Sequence, residues 1–181
     1  MKLMKKHVFI TGINGQIGAS LSSSFSKSGW LVYGMDLENS KSIDSQHFCS
    51  GNVTDRSSFR QLFELATDLI GDGDCLCLIN NAGVSIFSDS ENRSIDEFRY
   101  VAEVNMLGPI FGMTEFKIFA DRLKKSRKNL QYSIINIGSI YGILSPDNSI
   151  YTDTARNNSE IYGATKAGLA QMTKYFATRY A

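Results

Sequence analysis

Residues 7–18 read His-Val-Phe-Ile-Thr-Gly-Ile-Asn-Gly-Gln-Ile-Gly, and they carry the strongest signal of the fold class. A short apolar run ends in Gly12, Gly15 and Gly18, and residues 16–28 then carry apolar side chains at helical spacing. Strand, glycine turn and helix in this order are the context for dinucleotide binding, because the helix N-terminus and its exposed N–H groups face the pyrophosphate. Taken alone, the glycines are equally well explained by a plain turn.

The second predicted strand supports the dinucleotide interpretation. Residues 31–35 are followed directly by Asp36. The spacing from the glycine turn to Asp36 is close to the roughly 20 residues after which an acidic side chain hydrogen-bonds the ribose hydroxyls. A carboxylate there repels a 2′-phosphate, and the nearest following cation is Lys41. We therefore expect NAD to be favoured over NADP. The alternative is that Asp36 only caps the end of its strand.

A second pair of residues points to proton transfer. Tyr162 and Lys166 stand four residues apart near the end of the chain, so a helix places both side chains on one face. An ammonium about 4 Å from a phenol favours the phenolate by up to roughly 4 kcal/mol at an effective dielectric of about 20. The pair is therefore suited to acid–base chemistry, although an isolated pair of this kind is more often a solvated helix face.

Strand and helix patterns alternate along the whole chain, without repeats. This alternation predicts an α/β fold, namely a doubly wound parallel sheet of Rossmann type with strand order 3-2-1-4-5. The predicted strands are 7–11, 31–35, 46–49, 75–80 and 132–138, and the predicted helices are 16–28, 55–70, 94–106, 108–127 and 158–180.

Length, charge and cysteine content exclude several classes of protein. The 181 residues fit one domain, residues 1–181, and a net charge of +1 gives no electrostatic case for binding nucleic acid or a membrane surface. Cys49, Cys75 and Cys77 fall in predicted strands without the spacing of a metal site. We expect reduced thiols in a cytoplasmic protein, no metal, and no signal peptide or membrane span.

Together these segments resemble the short-chain dehydrogenase/reductase family, from about residue 7 to the last residue. Residues 11–18 are similar to the family's cofactor turn, and Asn80-Asn81-Ala82-Gly83 resembles its segment beside the cofactor. The resemblance implies a nicotinamide cofactor. The implied cofactor-binding residues are Thr11, Gly12, Asn14, Gly15, Gln16, Ile17, Gly18, Asp36, Asn52, Val53, Asn81, Ala82, Gly83, Tyr162 and Lys166.

The same resemblance implies the catalytic residues. Tyr162 and Lys166 match the family's Y-x-x-x-K motif, Ser139 its serine after the fifth strand, and Asn105 its N-x-x-G helix motif. Tyr162 is expected to exchange the proton, Lys166 to tune it and contact the nicotinamide ribose, and Ser139 to orient the substrate oxygen. Asn105 is expected to hold a water linked to Lys166. A homodimer or homotetramer, acting on a small-molecule substrate, is also implied.

The chain departs from the family pattern at several points. The glycine spacing is usual in the extended, sugar-nucleotide members, and Asn52 stands where an Asp usually meets adenine. Ser139 and Tyr162 are farther apart than is common, and the polar segment 146–160 between them suits a hydroxyl-rich substrate such as a sugar derivative, unless it is simply a solvated loop. Family members also continue beyond residue 181, so we expect an exposed sheet edge and incomplete nicotinamide and substrate pockets.

Three functions follow as alternatives. The first is an NAD-dependent oxidoreductase that transfers hydride between nicotinamide and a carbonyl or secondary alcohol. The second is a sugar-nucleotide epimerase or dehydratase, suggested by the glycine spacing. The third is a catalytically incomplete NAD-binding fragment.

Overall fold

The strands and helices alternate as the sequence predicts. The computed structural model describes residues 4–38, 47–88, 90–147, 149 and 159–180. The strands are β1 (Lys6–Thr11), β2 (Leu31–Asp36), β3 (His47–Ser50), β4 (Cys75–Asn80) and β5 (Gln131–Asn136). The helices are α1 (Gln16–Lys27), α2 (Arg56–Glu64), α3 (Ile95–Ala102), α4 (Gly108–Lys124) and α5 (Glu160–Tyr180).

All five strands pair in parallel, in the order β3-β2-β1-β4-β5. This confirms the predicted order. Val8 in β1 lies opposite Val32 in β2 and Cys77 in β4. From β1 the chain adds β2 and β3 on one side, and it then returns to add β4 and β5 on the other side of β1. A crevice therefore opens between the carboxyl ends of β1 and β4, where ligands bind in folds of this type.

The core has one layer on each face of the sheet. Phe9, Tyr33 and Phe63 belong to the layer under α2 and α4, while Val8 and Ile10 belong to the layer under α1. Neighbouring residues of β1 point to opposite faces, so a strand buried on both sides is apolar over most of its length, as residues 8–10 are. The glycine turn after β1 is thereby held on a rigid central strand.

The last strand lies at one edge of the sheet. Along β5 exposed residues alternate with partly buried ones, and Ile135 is 44% exposed. This agrees with the expected exposed edge. In the part of the chain that the structure describes, no helix combines the length and the apolar character needed to cross a bilayer.

Several element boundaries differ from the prediction, most of them by one residue, and α4 ends at Lys124 rather than at residue 127. α2 ends at Glu64 rather than residue 70, because the chain continues in tighter turns in which the Ala66 N–H donates to Phe63 O at 3.2 Å. The break predicted near residue 107 is instead a π-helical turn, Glu103–Leu107, that joins α3 to α4. β5 ends at Asn136 rather than at residue 138. Residues 46, 148, 150–158 and 181 of the predicted elements and segments lie outside the described residues.

Candidate active site

The glycine turn packs directly against the end of β4. Gly12 has φ +66, and a Cβ there would stand 2.8 Å from the Ala82 Cα. A Cβ on Gly18 would stand 2.1 Å from the Gly12 carbonyl oxygen. Both distances are far below van der Waals contact, so only glycine allows this approach of the first turn of α1 to the strand. The turn therefore needs glycine at both positions for steric reasons alone.

Thr11 and Asn81 tie the ends of β1 and β4 together. The Thr11 hydroxyl oxygen accepts the N–H groups of Asn81 and Ala82, each at 3.1 Å. The Asn81 amide nitrogen donates to the carbonyl oxygens of Thr11 and Gly12, each at 3.0 Å. Thr11 is 1% exposed, so its side chain acts beneath the crevice and not on its surface.

Asp36 faces the crevice from the end of β2. Its carboxylate accepts the Asn14 N–H at 2.9 Å and the Leu37 N–H at 2.8 Å, and the Asn14 side chain donates to the carbonyl oxygen of Glu38. Asp36 thus caps its strand, which was the alternative from the sequence, and it also holds the glycine turn in place. A contact with ribose stays a prediction.

These groups surround a first cleft of about 590 Å³. Of the predicted cofactor residues, the following line it: Gly12, Asn14, Gly15, Gln16, Ile17, Asp36, Asn52, Val53, Asn81, Ala82 and Gly83. Thr11 and Gly18 do not line it, and both are buried. Tyr100 and Val104 also line the cleft, and sequence reasoning missed them because they come from helical positions without a motif.

Asn52 is placed in the first cleft, but its side-chain oxygen is already engaged. It accepts the N–H of Thr54 at 3.0 Å, and the Asn52 N–H donates to the Ser58 hydroxyl at 3.1 Å. The residue therefore closes the turn between β3 and α2. Its predicted contact with adenine stays a prediction.

A second cleft of about 440 Å³ contains the predicted catalytic groups Ser139, Tyr162 and Lys166. It shares four lining residues with the first cleft, namely Ile17, Asn81, Gly83 and Val84. The two clefts are therefore adjacent parts of one crevice. Ser85 and Phe87 also line the second cleft, and neither was identified from the sequence.

Lys166 lines the second cleft beside Gly83, a residue that both clefts share. Its Nζ donates to the Ile137 carbonyl oxygen at 2.8 Å and lies 5.8 Å from the centre of the Tyr162 ring. A Cβ on Gly83 would stand 3.5 Å from the same Nζ. Burial lowers the pKa of Lys166 below its ordinary value, because an ammonium removed from water loses hydration.

Ser139 begins the short 3-10 helix Ile140–Gly142, and its hydroxyl oxygen accepts the Tyr141 N–H at 3.2 Å. This cap fixes the side chain at the wall of the second cleft. The sequence predicted its proximity to the Tyr–Lys pair, and the structure brings the three residues together in one cleft.

Asn105 lies behind the second cleft and is 0% exposed. Its amide exchanges two hydrogen bonds of 2.9 Å with the backbone of Val84, and its nitrogen also donates to the Thr165 hydroxyl at 3.2 Å. The side chain therefore joins the loop after β4 to α5, next to Lys166. Its expected role in holding a water stays a prediction.

The part of the chain that the structure describes contains no cluster of His, Cys, Asp or Glu able to hold a metal ion. Cys49, Cys75 and Cys77 are free thiols. Burial raises the pKa of Cys49 and Cys77 above the ordinary range, because thiolates are disfavoured away from water. These two thiols are therefore poor nucleophiles and poor metal ligands.

Comparison with known proteins gives consistent matches. The short chain dehydrogenase family model matches residues 6–181. L-fucose dehydrogenase from Mus musculus is 30% identical over 179 residues, which are 95% of this chain and 59% of the mouse protein. The NADP-dependent (R)-specific alcohol dehydrogenase of Lentilactobacillus kefiri is 27% identical over 152 residues, which are 79% of this chain and 58% of that protein. This chain thus spans about three fifths of the length of these relatives.

Among solved structures, a short chain dehydrogenase from Leptospira borgpetersenii with bound NAD⁺ superimposes with a TM-score of 0.75. It is 31% identical, and the match covers 99% of this chain and 66% of the Leptospira protein. The similarity therefore includes the glycine turn, both clefts and α5.

Proposed function

The chain belongs to the short-chain dehydrogenase family, and on that premise we propose that it is an NAD-dependent oxidoreductase acting on a carbonyl or secondary alcohol. The observation that carries the proposal is the junction of the two clefts. A glycine-lined cleft with Asp36 at its far end opens, through shared walls, into a cleft that contains Ser139, Tyr162 and Lys166. We take residues 1–181 as one cofactor-binding domain.

The residues of the first cleft fit a dinucleotide. Gly15 is the N-cap of α1 and makes no side-chain cap, so the first N–H groups of the helix are directed at the cleft together with the positive end of its dipole. That arrangement suits a pyrophosphate. Gly12, Asn14, Gln16 and Ile17 would flank it, while Asn81, Ala82 and Gly83 would line the path toward the second cleft.

Asp36 supports NAD over NADP. Its carboxylate is fixed by the N–H groups of Asn14 and Leu37, so it cannot turn away from a ribose placed at the end of β2. A carboxylate lone pair that is not already engaged accepts a hydrogen bond from a ribose 2′-hydroxyl. A 2′-phosphate is repelled, because it carries the same negative charge as the carboxylate. Relatives of both cofactor types exist, as the Leptospira and Lentilactobacillus proteins illustrate.

In the proposed mechanism the nicotinamide supplies the hydride chemistry, and the protein handles the proton. The Tyr162 hydroxyl gives its proton to the substrate oxygen during reduction and takes it back during oxidation. The Lys166 ammonium lies 5.8 Å from the centre of the Tyr162 ring, where it would attract negative charge that develops on the phenol oxygen, and it is within reach of a ribose placed beside Gly83. The Ser139 hydroxyl donates to the same substrate oxygen and stabilises the charge that develops there.

The substrate class is proposed from two features. The relative from mouse is an L-fucose dehydrogenase, and the segment 146–160 is rich in Asn, Asp and Ser. Both favour a hydroxyl-rich alcohol such as a sugar. We also propose a homodimer or homotetramer, for which the exposed Ile118 of α4 and Tyr175 of α5, both 58% exposed, provide apolar surface. A cytoplasmic location is supported by the free thiols.

The decisive experiment is a dehydrogenase screen of the purified protein with NAD⁺ and NADP⁺ on L-fucose, other aldoses and simple secondary alcohols. We expect NADH formation, and we expect Tyr162→Phe to reduce it at least about 100-fold while the affinity for NADH stays near that of the unmodified protein. Tyr175→Phe, on the same helix but outside both clefts, is the matched control and retains turnover. Full turnover in Tyr162→Phe would remove this residue from the proton step.

The epimerase or dehydratase alternative retains one supporting observation, the glycine spacing of residues 12–18. Such an enzyme holds its cofactor tightly and restores it in each cycle. Cofactor that co-purifies, combined with conversion of a nucleotide sugar but no net NADH, would favour that alternative. Binding of NADH without turnover of any compound would favour a domain that binds the cofactor without catalysis.

A further inference from the structure

A buried guanidinium lies outside the residues assigned so far. Arg93 stands between the 3-10 helix Ser90–Asn92 and α3, and its side chain is 3% exposed. Its Nε donates to Glu160 Oε1 at 2.8 Å and its Nη2 to Glu160 Oε2 at 3.2 Å. Nη2 also donates to the Ser88 carbonyl oxygen at 2.7 Å, and Nη1 to the Ser88 hydroxyl at 3.1 Å.

These contacts join two elements that wall the second cleft. Glu160 is the first residue of α5, in the same helical turn as Tyr162. Ser88 follows Ser85 and Phe87 in the loop after β4, and these two residues line the cleft together with Tyr162. The planar fork of the guanidinium thus connects the loop to the start of the helix.

The geometry is of the kind that fixes orientation. A bidentate pair between Arg and a carboxylate restricts both partners more than a single contact does. Ser90 adds a third contact, since its hydroxyl donates to Glu160 Oε2 at 2.9 Å. Hydrogen bonding by Arg93 lowers the pKa of Glu160 below its ordinary value, as expected where a guanidinium pairs with the charged form of a carboxylate.

The start of α5 does not depend on this pair for its helical form. Ser159, which is 2% exposed, already caps the helix, because its hydroxyl accepts the Tyr162 N–H at 3.1 Å. An N-cap of this type supplies the stabilisation that a helix start ordinarily needs. The Arg93–Glu160 pair is therefore additional to helix formation, and what it adds is the placement of the helix start relative to the loop.

We propose that Arg93 is a positioning residue, which holds the first turns of α5 against the loop after β4 and so sets where Tyr162 meets a substrate. The inference rests on the proposed function for its catalytic consequence. Its structural part, the placement of the start of α5 against the loop after β4 by a bidentate contact, stands independently. The substitution Arg93→Lys would keep the charge but lose the fork.

The test compares Arg93→Gln, Arg93→Lys and Glu160→Gln in the full chain by hydrogen exchange of the backbone amides of residues 163–166, together with turnover in the alcohol screen. In all three variants we expect exchange of these amides to accelerate about tenfold, because a helix start that is released from the loop opens more often although its cap is intact. We expect kcat to fall by about the same factor. The affinity for NADH is expected to stay unchanged. The control is Arg122→Gln, which breaks an ion pair of 2.8 Å between Arg122 and Glu64. These two side chains are 55% and 60% exposed, and we expect the control to change neither amide exchange nor turnover.

Three results would overturn the inference. Unchanged exchange at residues 163–166 in Arg93→Gln would show that the pair orders nothing. Acceleration spread evenly over all helices would show a general loss of stability. Exchange and turnover in Arg93→Lys equal to those of the unmodified protein would show that charge alone is sufficient. If no alcohol is turned over by the unmodified protein, the proposed function fails while the exchange measurement still decides the structural part.

Discussion

The two halves of the crevice are built in different ways. The first cleft is formed by backbone segments in close contact, with Gly12 and Gly18 in positions that leave no space for a side chain. The second cleft is formed by side chains on a short 3-10 helix, a loop and α5, and Ile143, directly after that short helix, is 84% exposed. The first cleft, proposed to hold the cofactor and called the cofactor half below, therefore has closely packed walls. The second cleft, proposed to hold the substrate and called the substrate half, depends on a few side-chain contacts.

This difference indicates how each half tolerates change. Where backbone segments are in close contact, a single added methyl group displaces the whole turn, because a closely packed interior has no space for it. Side-chain contacts at an open cleft can be exchanged at small cost in stability, and the effect then appears in substrate binding.

The largest effect is expected for Gly18→Ala. Its Cβ would stand 2.1 Å from the Gly12 oxygen and 2.8 Å from the Ile13 Cα, so we expect a loss of about 3 kcal/mol in the free energy of unfolding and loss of NADH binding. Urea denaturation and NADH fluorescence measure the two quantities. The matched control is Gly138→Ala in the substrate half, where an added Cβ meets no atom within 4 Å among the described residues. Equal losses in both variants would contradict the contrast between the halves.

The next effect concerns cofactor choice. Asp36→Asn removes the charge that opposes a 2′-phosphate, and its amide can accept only one of the two backbone N–H groups that the carboxylate now accepts. We expect the affinity for NADH to fall about tenfold, which is about 1.4 kcal/mol, and the affinity for NADPH to rise. Titration with both nucleotides measures this.

The control for Asp36→Asn is Asp121→Asn, which makes the same change of charge on α4, where Asp121 pairs with Lys117. It is expected to change neither affinity. A variant of Asp36 that keeps the full preference for NADH would show that selectivity comes from elsewhere in the first cleft.

A third prediction concerns the opposite end of the sheet. His7, at the start of β1, contacts Asp74 at 3.3 Å through Nε2 and the Tyr33 hydroxyl at 3.1 Å through Nδ1. Burial lowers the pKa of His7, although Asp74 acts in the other direction, while the nearby Lys5 and His47 add to the lowering. The ring is therefore neutral in the folded protein at neutral pH.

The unfolded chain binds a proton at His7 before the folded protein does, since the folded pKa is the lower one. The free energy of unfolding should therefore be at its full value above about pH 6.5 and decrease as the pH falls toward 5, by at most about 1.4 kcal/mol per pH unit. Urea titrations at about pH 7, 6 and 5 test this, and His7→Gln should flatten the profile. The same slope in His7→Gln would assign the effect to other groups.

The smallest effect is expected in the wall of the second cleft. The Ser85 hydroxyl is buried and has no hydrogen-bond partner within the described ranges, so Ser85→Ala should change the free energy of unfolding by less than about 0.5 kcal/mol. Thr165→Val is the comparison, because the Thr165 hydroxyl donates to Tyr162 O and accepts from Asn105, and its loss should cost about 1–3 kcal/mol. Calorimetry compares both variants, and a large loss in Ser85→Ala would show that this wall is as tightly built as the cofactor half.

Most of the fold could be predicted because its signals are local. Strands buried on both faces are apolar over most of their length, as Leu76–Ile79 are, and the strand order follows from right-handed crossovers. The end of α2 could not be predicted, since Ala66 and Ile70 remain in the core with helical spacing while the chain tightens into turns. The spacing of apolar residues along the sequence does not distinguish an α-helix from a series of tighter turns.

The π-helical turn Glu103–Leu107 escaped prediction for a different reason. Its buried Asn105 is held by Val84 and Thr165, which are distant along the chain, so the local sequence contains no sign of the extra residue in the turn. Arg93 is a similar case, because its partner Glu160 lies 67 residues away along the chain and meets it only in the folded protein.

The sequence already contains the strand order and the glycine turn, because both depend on residue type and short spacing, and it predicts which groups carry a proton. Only the tertiary structure decided which groups meet. It placed Thr11 and Gly18 beneath the first cleft, joined that cleft to the one containing Ser139, Tyr162 and Lys166, and buried Arg93 between the loop after β4 and α5. The physical reason is that hydrogen bonds and close packing between distant segments depend on the positions of whole elements, which no short stretch of sequence encodes.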